Sequence, residues 1–98
     1  MGPTEGRNEL VAVGVTAVQL LGLTMPERTR YSIRNSSVGA QVVTLSFGSK
    51  KAPVVNEGFP LLPGDVWAES DSGDFRCFKG MITAISDVAG AQVSLVEI

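Results

Sequence analysis

The sequence contains few of the side chains that usually carry enzyme chemistry. Histidine, the commonest general base and metal ligand, is absent from all 98 residues. Cys77 is the single cysteine, so neither an intrachain disulfide nor a multi-thiolate zinc site can form, which fits a reduced, intracellular origin. With no histidine to activate it, Cys77 is predicted to be a small buried side chain rather than a nucleophile. The composition therefore predicts a protein that is not an enzyme and has no cofactor.

Three carboxylates, Glu69, Asp71 and Asp74, are the best candidates for a cation site. Alternating carboxylates with an intervening glycine can gather calcium. The EF-hand spacing is absent, however, and no glutamate stands at the twelfth position of such a loop. A solvated turn is the simpler interpretation, and no metal site is predicted.

The aromatic side chains could form a stacking platform for a sugar or a base, because flat rings pair with flat ligands. A small domain also needs aromatic side chains in its core, and the core is the simpler prediction for most of them. Trp67 and Phe78 are the expected exceptions, since their neighbours Val66 and Cys77 can fill the opposite face of each strand.

These candidates lie in segments whose hydrophobic period is two, the period of a half-buried strand. Residues 30–34 and 41–47 alternate in this way, with Thr44 on the outward face of the second segment, and the small polar residues between them predict a hairpin. Pro63 and Gly64 predict a type II turn between strands at 59–62 and 66–69. Further strands are predicted at 75–78, 81–85 and 91–98.

The segment 10–23 admits two interpretations. Its leucines would make a helical stripe, but β-branched valines and Gly14 weaken a helix, so a strand is favoured. The segment is too short to cross a bilayer comfortably. We therefore expect an all-β chain: a single antiparallel β-sandwich or barrel of jelly-roll type over residues 10–98. Residues 1–9 are expected to form a flexible arm, because they offer no apolar face and lack the basic start of a signal peptide.

The charge balance argues against two classes of partner. A net charge of −2 and a pI of about 4.9 disfavour a general nucleic-acid binder, which needs a basic surplus to neutralise phosphates. No segment predicts a membrane span or a targeting signal. We expect neither a nucleic acid nor a membrane as partner.

From about Arg28 to Ile98, the chain resembles small β-rich virion proteins of tailed bacteriophages, which include capsid decoration or cement proteins and head-fibre or spike modules. The resemblance rests on the order of four segments: RYSIRN at 30–35, LSFG at 45–48, GFPLLPGD at 58–65 and MITAISD at 81–87, before a last strand with Glu97. It implies a structural role on an assembled particle, with the major capsid protein or neighbouring virion subunits as partners. It also implies a homo-oligomer, with a trimer favoured, and assembly in the bacterial host cytoplasm.

The candidate interface residues on this interpretation are Arg7, Arg30, Arg34, Trp67 and Phe78. The arm, which contains Arg7, is hypothesised to order against a neighbouring subunit. Arg30 and Arg34 flank Ser32 on an outward strip, for which a solvated sheet face is an equal alternative.

Two other functional classes stay open. The first is a host-receptor or glycan-binding adhesin, in which Trp67 or Phe78 is exposed beside Asp65, Glu69 or Asp71. The second is a degenerate cupin-type enzyme. It is indicated only by the Pro-Gly-Asp turn at 63–65, for which a plain turn is the simpler interpretation.

Overall fold

The computed structural model describes residues 7–22, 28–48 and 58–98, and the regular elements in these ranges are β-strands. In chain order they are β1 Arg7–Val13, β2 Val18–Leu21, β3 Arg30–Asn35, β4 Val43–Phe47, β5 Phe59–Leu61, β6 Val66–Ser70, β7 Ile82–Ser86 and β8 Ala91–Glu97. The all-β prediction is confirmed. Within these ranges, no helix has the length and hydropathy to span a bilayer.

The strands form two four-stranded sheets in which every pairing is antiparallel. One sheet has the order β1-β8-β3-β6, and the other has the order β2-β7-β4-β5. Buried side chains from both sheets belong to one hydrophobic cluster, so the arrangement is sandwich-like. Burial of each large apolar side chain in this core contributes roughly 1.5–3 kcal/mol.

The predicted alternation of side chains is confirmed in β3 and largely in β4. Tyr31 and Ile33 are buried, whereas Arg30 and Arg34 are exposed. Thr44 departs from the prediction, because it was expected to face outward and is fully buried. The backbone at Gly58 runs against its methyl group: a Cβ placed on Gly58 would lie 3.2 Å from Thr44 Cγ2.

The predicted hairpin between β3 and β4 is wrong. β3 pairs with β6 and β8, whereas β4 pairs with β5 and β7, so the connection at 36–42 passes from one sheet to the other. Asn35 holds this crossing, because its side-chain amide donates to the carbonyls of Gln41 at 2.9 Å and Leu61 at 2.8 Å. Both strands still bury their apolar faces, but they do so across the core rather than side by side.

The Pro63-Gly64 turn is present, although the strands that it joins do not pair. Gly64 has a φ of 90°, and the Asp65 N–H donates to the Leu62 carbonyl at 2.9 Å, which closes the turn. β5 then pairs with β4, and β6 pairs with β3. The reversal therefore also moves the chain between sheets.

The ambiguous segment 10–23 is strand, as favoured. It contains most of β1 and all of β2, which are separated by residues 14–17, and Leu23 lies outside the described residues. β1 begins at Arg7, earlier than the predicted boundary at residue 10, and pairs along its length with β8 of the same chain. Residues 1–6 of the predicted arm lie outside the described residues.

The strand predicted at 75–78 is wrong. Only an isolated bridge between Ser72 and Phe75 forms there, and Phe75 is half exposed. The reason lies in the hydrogen bonds of the next residues. The Cys77 N–H donates to Asp71 Oδ1 at 2.9 Å and the Phe78 N–H donates to Glu69 Oε1 at 3.2 Å, so carboxylates replace a neighbouring strand as acceptors.

Candidate functional site

The structure separates the predicted interface residues into two places. Trp67 and Phe78 come together at one side of the sandwich, where each contacts the ring of Phe47. Arg30 and Arg34 are exposed on the outer face of the β1-β8-β3-β6 sheet. Arg7 begins β1 opposite Glu97, and its side chain lies outside the described part of the structure.

A groove of about 500 Å³ lies beside Trp67 and Phe78, between β4 and β5 of one sheet and β6 of the other. Its volume falls within the usual range for small-molecule sites. The groove, called the aromatic groove below, is lined by Leu45, Ser46, Phe47, Gly58, Phe59, Trp67, Glu69 and Phe78. Four aromatic side chains thus share one opening with one carboxylate.

The rings of the aromatic groove meet at steep angles. Phe47 packs against Trp67 with centroids 5.9 Å apart and planes at 71°, and against Phe78 at 5.6 Å and 81°. Phe59 lies 4.6 Å from Trp67 at 54°. In an edge-to-face pair, one ring keeps both of its faces clear of its partner. The two pairs that Phe47 makes are of this edge-to-face kind, and all four rings line the groove.

The carboxylate of Glu69 is held in the groove by one of its two oxygens. Oε1 accepts hydrogen bonds from the Tyr31 hydroxyl at 2.6 Å and from the Phe78 N–H at 3.2 Å. The Tyr31 oxygen in turn accepts the indole N–H of Trp67 at 2.9 Å. Burial and the bond to Glu69 raise the pKa of Tyr31 well above its ordinary value. The hydroxyl therefore stays protonated and keeps Glu69 in place.

Behind the groove, Arg28 is a buried cation that the sequence analysis missed. Its Nε donates to Glu97 Oε2 at 2.8 Å, and its Nη1 donates to the carbonyls of Phe78 at 2.8 Å and Gly80 at 3.1 Å. Its Nη2 donates to the Gly22 carbonyl. The sequence carries no signal for this role, because arginine is rarely fully buried unless it is paired, and the paired Glu97 lies 69 positions further along the chain.

Asp71 and Lys79 form a second ion pair near the groove. Lys79 Nζ lies 2.8 Å from Asp71 Oδ1 and donates to the Arg28 carbonyl at 2.6 Å. Hydrogen bonds from Lys79 and the Cys77 N–H lower the pKa of Asp71 to about 2. The bond to Asp71 raises the pKa of Lys79. Burial raises the pKa of the Cys77 thiol, and the prediction that Cys77 is a buried side chain is confirmed.

Two of the three carboxylates that were candidates for a cation site belong to this internal network. Glu69 and Asp71 accept protein hydrogen bonds, and Asp74 is exposed. Among the residues that the structure describes, no group of three or more histidine, cysteine, aspartate or glutamate side chains is placed to hold a metal.

The prediction that aromatic side chains fill the core holds for only part of the set. Tyr31 is fully buried, Phe47 is partly buried against the core, and Phe59 and Phe75 are exposed. Trp67 and Phe78, the predicted exceptions, are partly buried. Val66 was expected to fill the core face beside Trp67, but it points outward and is exposed. Alternation therefore found the strand but assigned its faces the wrong way round.

Comparison with known proteins gives no match to a family model, to a curated protein or to a solved structure.

Proposed function

We propose that the chain is a structural protein of a tailed-bacteriophage virion, which decorates or stabilises the capsid through repeated subunit interfaces. Its partners are the major capsid protein or neighbouring virion subunits, together with further copies of the chain, a trimer being favoured. The protein acts by the surfaces it presents, and we propose no catalytic step. The observation that carries the proposal is the order of the strands combined with the outer face of one sheet.

A jelly roll is the topology that the strand order favours. The first strand pairs with the last, the second with the seventh, the third with the sixth and the fourth with the fifth. These pairs alternate between the two sheets. One long antiparallel hairpin wrapped around a core produces this pattern. Eight-stranded jelly rolls occur in viral capsid and lectin domains, and this supports both the virion proposal and the alternative below.

The outer face of the β1-β8-β3-β6 sheet supplies a surface for a neighbouring subunit. Leu10, Ser94, Arg34 and Val66 stand side by side across its four strands. Leu10 is 61% exposed and Val66 is 55% exposed, so the single charge of this row lies between two uncovered apolar side chains. The row therefore offers an apolar contact at each edge of the sheet and a charged contact between them.

The neighbouring row of this face consists of short side chains. Asn8, Val96, Ser32 and Ala68 lie side by side in the next register. Short side chains let a partner approach the backbone of this sheet closely, and repetition over a shell multiplies a small contact into stable attachment. The arginines at 30 and 34 add hydrogen-bond donors that fix the orientation of a partner.

Native mass spectrometry and co-sedimentation with capsid shells test the proposal. We expect an oligomer that sediments with the shells. We expect Val66→Glu to weaken the affinity between subunits and the affinity for the shells at least tenfold each. Val88→Glu is the matched control, because Val88 is 52% exposed but lies in the turn before β8. A monomer that stays in the supernatant, or equal effects of the two substitutions, would contradict the proposal.

A second candidate function is a host-receptor or glycan-binding module. The observation that favours it is the aromatic groove, in which Trp67 and Phe78 stand beside Glu69. Jelly rolls also serve as lectins. A glycan array probed with the labelled chain separates this class from a purely structural one: saturable binding that is lost in Trp67→Ala supports it, and a silent array argues against a glycan ligand.

A further inference from the structure

The composition of the aromatic groove indicates which class of ligand it can hold. We propose that the groove binds a quaternary ammonium group, as found in choline and in choline-bearing lipid headgroups. The inference rests on the groove alone and does not require that the chain assembles on a particle.

The first argument is the match between the rings and a diffuse positive charge. The faces of Phe47, Phe59, Trp67 and Phe78 carry the negative part of each ring's quadrupole. A cation within about 6 Å of such a ring is attracted to its face, most strongly for tryptophan. Methyl groups on the nitrogen also bury apolar surface against the rings. The groove therefore offers both charge attraction and apolar contact to one group.

The second argument is the charge balance beside the groove. Arg28 is paired with Glu97 at 2.8 Å, and Lys79 is paired with Asp71 at 2.8 Å. Glu69 is the third carboxylate of this region, and no cation of the described residues pairs with it. Its Oε2 accepts no hydrogen bond from those residues, while Oε1 is anchored by Tyr31 and Phe78. One negative charge thus faces the groove in a fixed position.

The third argument excludes cations that need many hydrogen bonds. A guanidinium brings five N–H donors and matches a carboxylate best when both oxygens are free. Here Oε1 of Glu69 already accepts two hydrogen bonds. A quaternary ammonium has no N–H donor, so burying it leaves no polar hydrogen without an acceptor. The groove suits the methylated cation better than an arginine side chain.

The same reasoning disfavours a neutral sugar. A pyranose carries several hydroxyl groups, and each needs a partner when it leaves water. Among the described residues that line the groove, Ser46 and Glu69 have polar side chains that can serve a ligand, and the others are apolar. Among the described residues, the lining therefore suits a quaternary ammonium better than a sugar, and a glycan ligand of the second candidate function would need hydrogen-bond partners beyond these two side chains.

The experiment uses the single tryptophan of the chain, because Trp67 lines the groove. Its indole N–H gives one cross-peak in a ¹⁵N-labelled sample, and its hydrogen bond to Tyr31 links it to Glu69. The full chain is titrated with choline chloride and, separately, with 3,3-dimethylbutan-1-ol, which has the same shape without the charge. Methyl glucoside and arginine methyl ester serve as competing ligand classes, and sodium chloride at equal concentration controls for salt.

We expect choline to shift the indole cross-peak saturably and to bind about tenfold more tightly than its neutral isostere. Equal affinities for choline and the isostere would overturn the proposal, as would saturable binding of methyl glucoside or of arginine methyl ester with no response to choline. Vesicles of phosphatidylcholine distinguish the sources: sedimentation of the chain with them indicates a lipid headgroup, and choline binding without sedimentation indicates a free ligand.

Substitutions then test the roles of the ring and the charge. Glu69→Gln keeps an oxygen for Tyr31 and removes the charge, so it should reduce the preference for choline over the isostere at least fivefold. Phe59→Leu removes a ring at the exposed mouth, where Phe59 is 38% exposed, and should weaken choline binding without unfolding the chain. Phe75→Leu is the matched control, since Phe75 is an exposed ring outside the groove. Choline binding unchanged in both groove variants would overturn the proposal.

Discussion

Replacing Arg28 with alanine is expected to lower the free energy of unfolding by about 4 kcal/mol. The guanidinium is buried and donates to the Glu97 carboxylate and to the carbonyls of Gly22, Phe78 and Gly80. Removing one partner of a buried ion pair costs about 3–5 kcal/mol, and a buried carbonyl without a donor costs about 1–3 kcal/mol. Water can reach the partly buried carbonyls, so these costs overlap rather than add.

Urea denaturation followed by Trp67 fluorescence measures this loss. Domains of this size are stable by about 5–15 kcal/mol, so a loss of about 4 kcal/mol shifts the midpoint strongly. Arg28→Lys keeps the charge but not the planar fork, and should fall between the wild type and the alanine variant. Arg76→Ala is the control: Arg76 is exposed and donates to nearby carbonyls only, so its loss should stay within about 0.5 kcal/mol. Equal losses for Arg28→Ala and Arg76→Ala would refute the reasoning.

Three further predictions concern Asp71 of the ion pair with Lys79, Gly58 and the Cys77 thiol. Because the folded-state pKa of Asp71 is about 2, below its unfolded value, its stabilising contribution is complete above about pH 4 and is lost as the pH falls towards 2. Asp71→Asn should reduce the change in the free energy of unfolding between pH 4 and pH 2, measured by urea denaturation. An unchanged pH dependence would contradict the lowered pKa of Asp71. Gly58→Ala should lower the free energy of unfolding by more than about 2 kcal/mol in urea denaturation, since Gly58 has a φ of +146° and its Cβ would clash with the Leu45 carbonyl oxygen; a neutral effect would contradict this role of Gly58. Cys77 should react slowly with a disulfide reagent at pH 8 and rapidly after unfolding, because burial raises the pKa of its thiol; fast labelling of the native protein would be the opposite result.

Local patterns in the sequence located the strands other than the one wrongly predicted at 75–78, and they assigned the inward face of β3. Period-two alternation identified Tyr31 and Ile33 as core residues, and Pro63-Gly64 identified a turn that the hydrogen bond from Asp65 to Leu62 closes. Both signals depend only on neighbours in the chain. They are therefore the same whichever strand pairs with the segment.

Strand partners could not be predicted in the same way. An amphipathic strand can bury its apolar face beside its sequence neighbour or across the core from it, and alternation is the same in both cases. In β3 and β4 the second arrangement is present, and the buried amide of Asn35 holds the connection by donating to Gln41 and Leu61. In the sequence, Asn35 is indistinguishable from an ordinary turn residue, because asparagine is common in turns.

The candidate site was predictable only in part. Trp67 and Phe78 were singled out because their strand neighbours could fill the core, and the structure does bring them together around Phe47. The anchoring of Glu69 by Tyr31 joins residues that are 38 positions apart, and the pairing of Arg28 with Glu97 spans 69 positions. Such contacts depend on the order of the strands in the sheets, and no local sequence pattern predicts them.

Counting the copies of this chain in purified phage particles, relative to the major capsid protein, tests the central proposal most directly. Quantitative mass spectrometry of virions from the host that produces the chain is the appropriate measurement. The proposal predicts a copy number close to that of the major capsid protein. A few copies per particle would instead place the chain at a vertex or in the tail, and its absence from purified particles would contradict the proposal altogether.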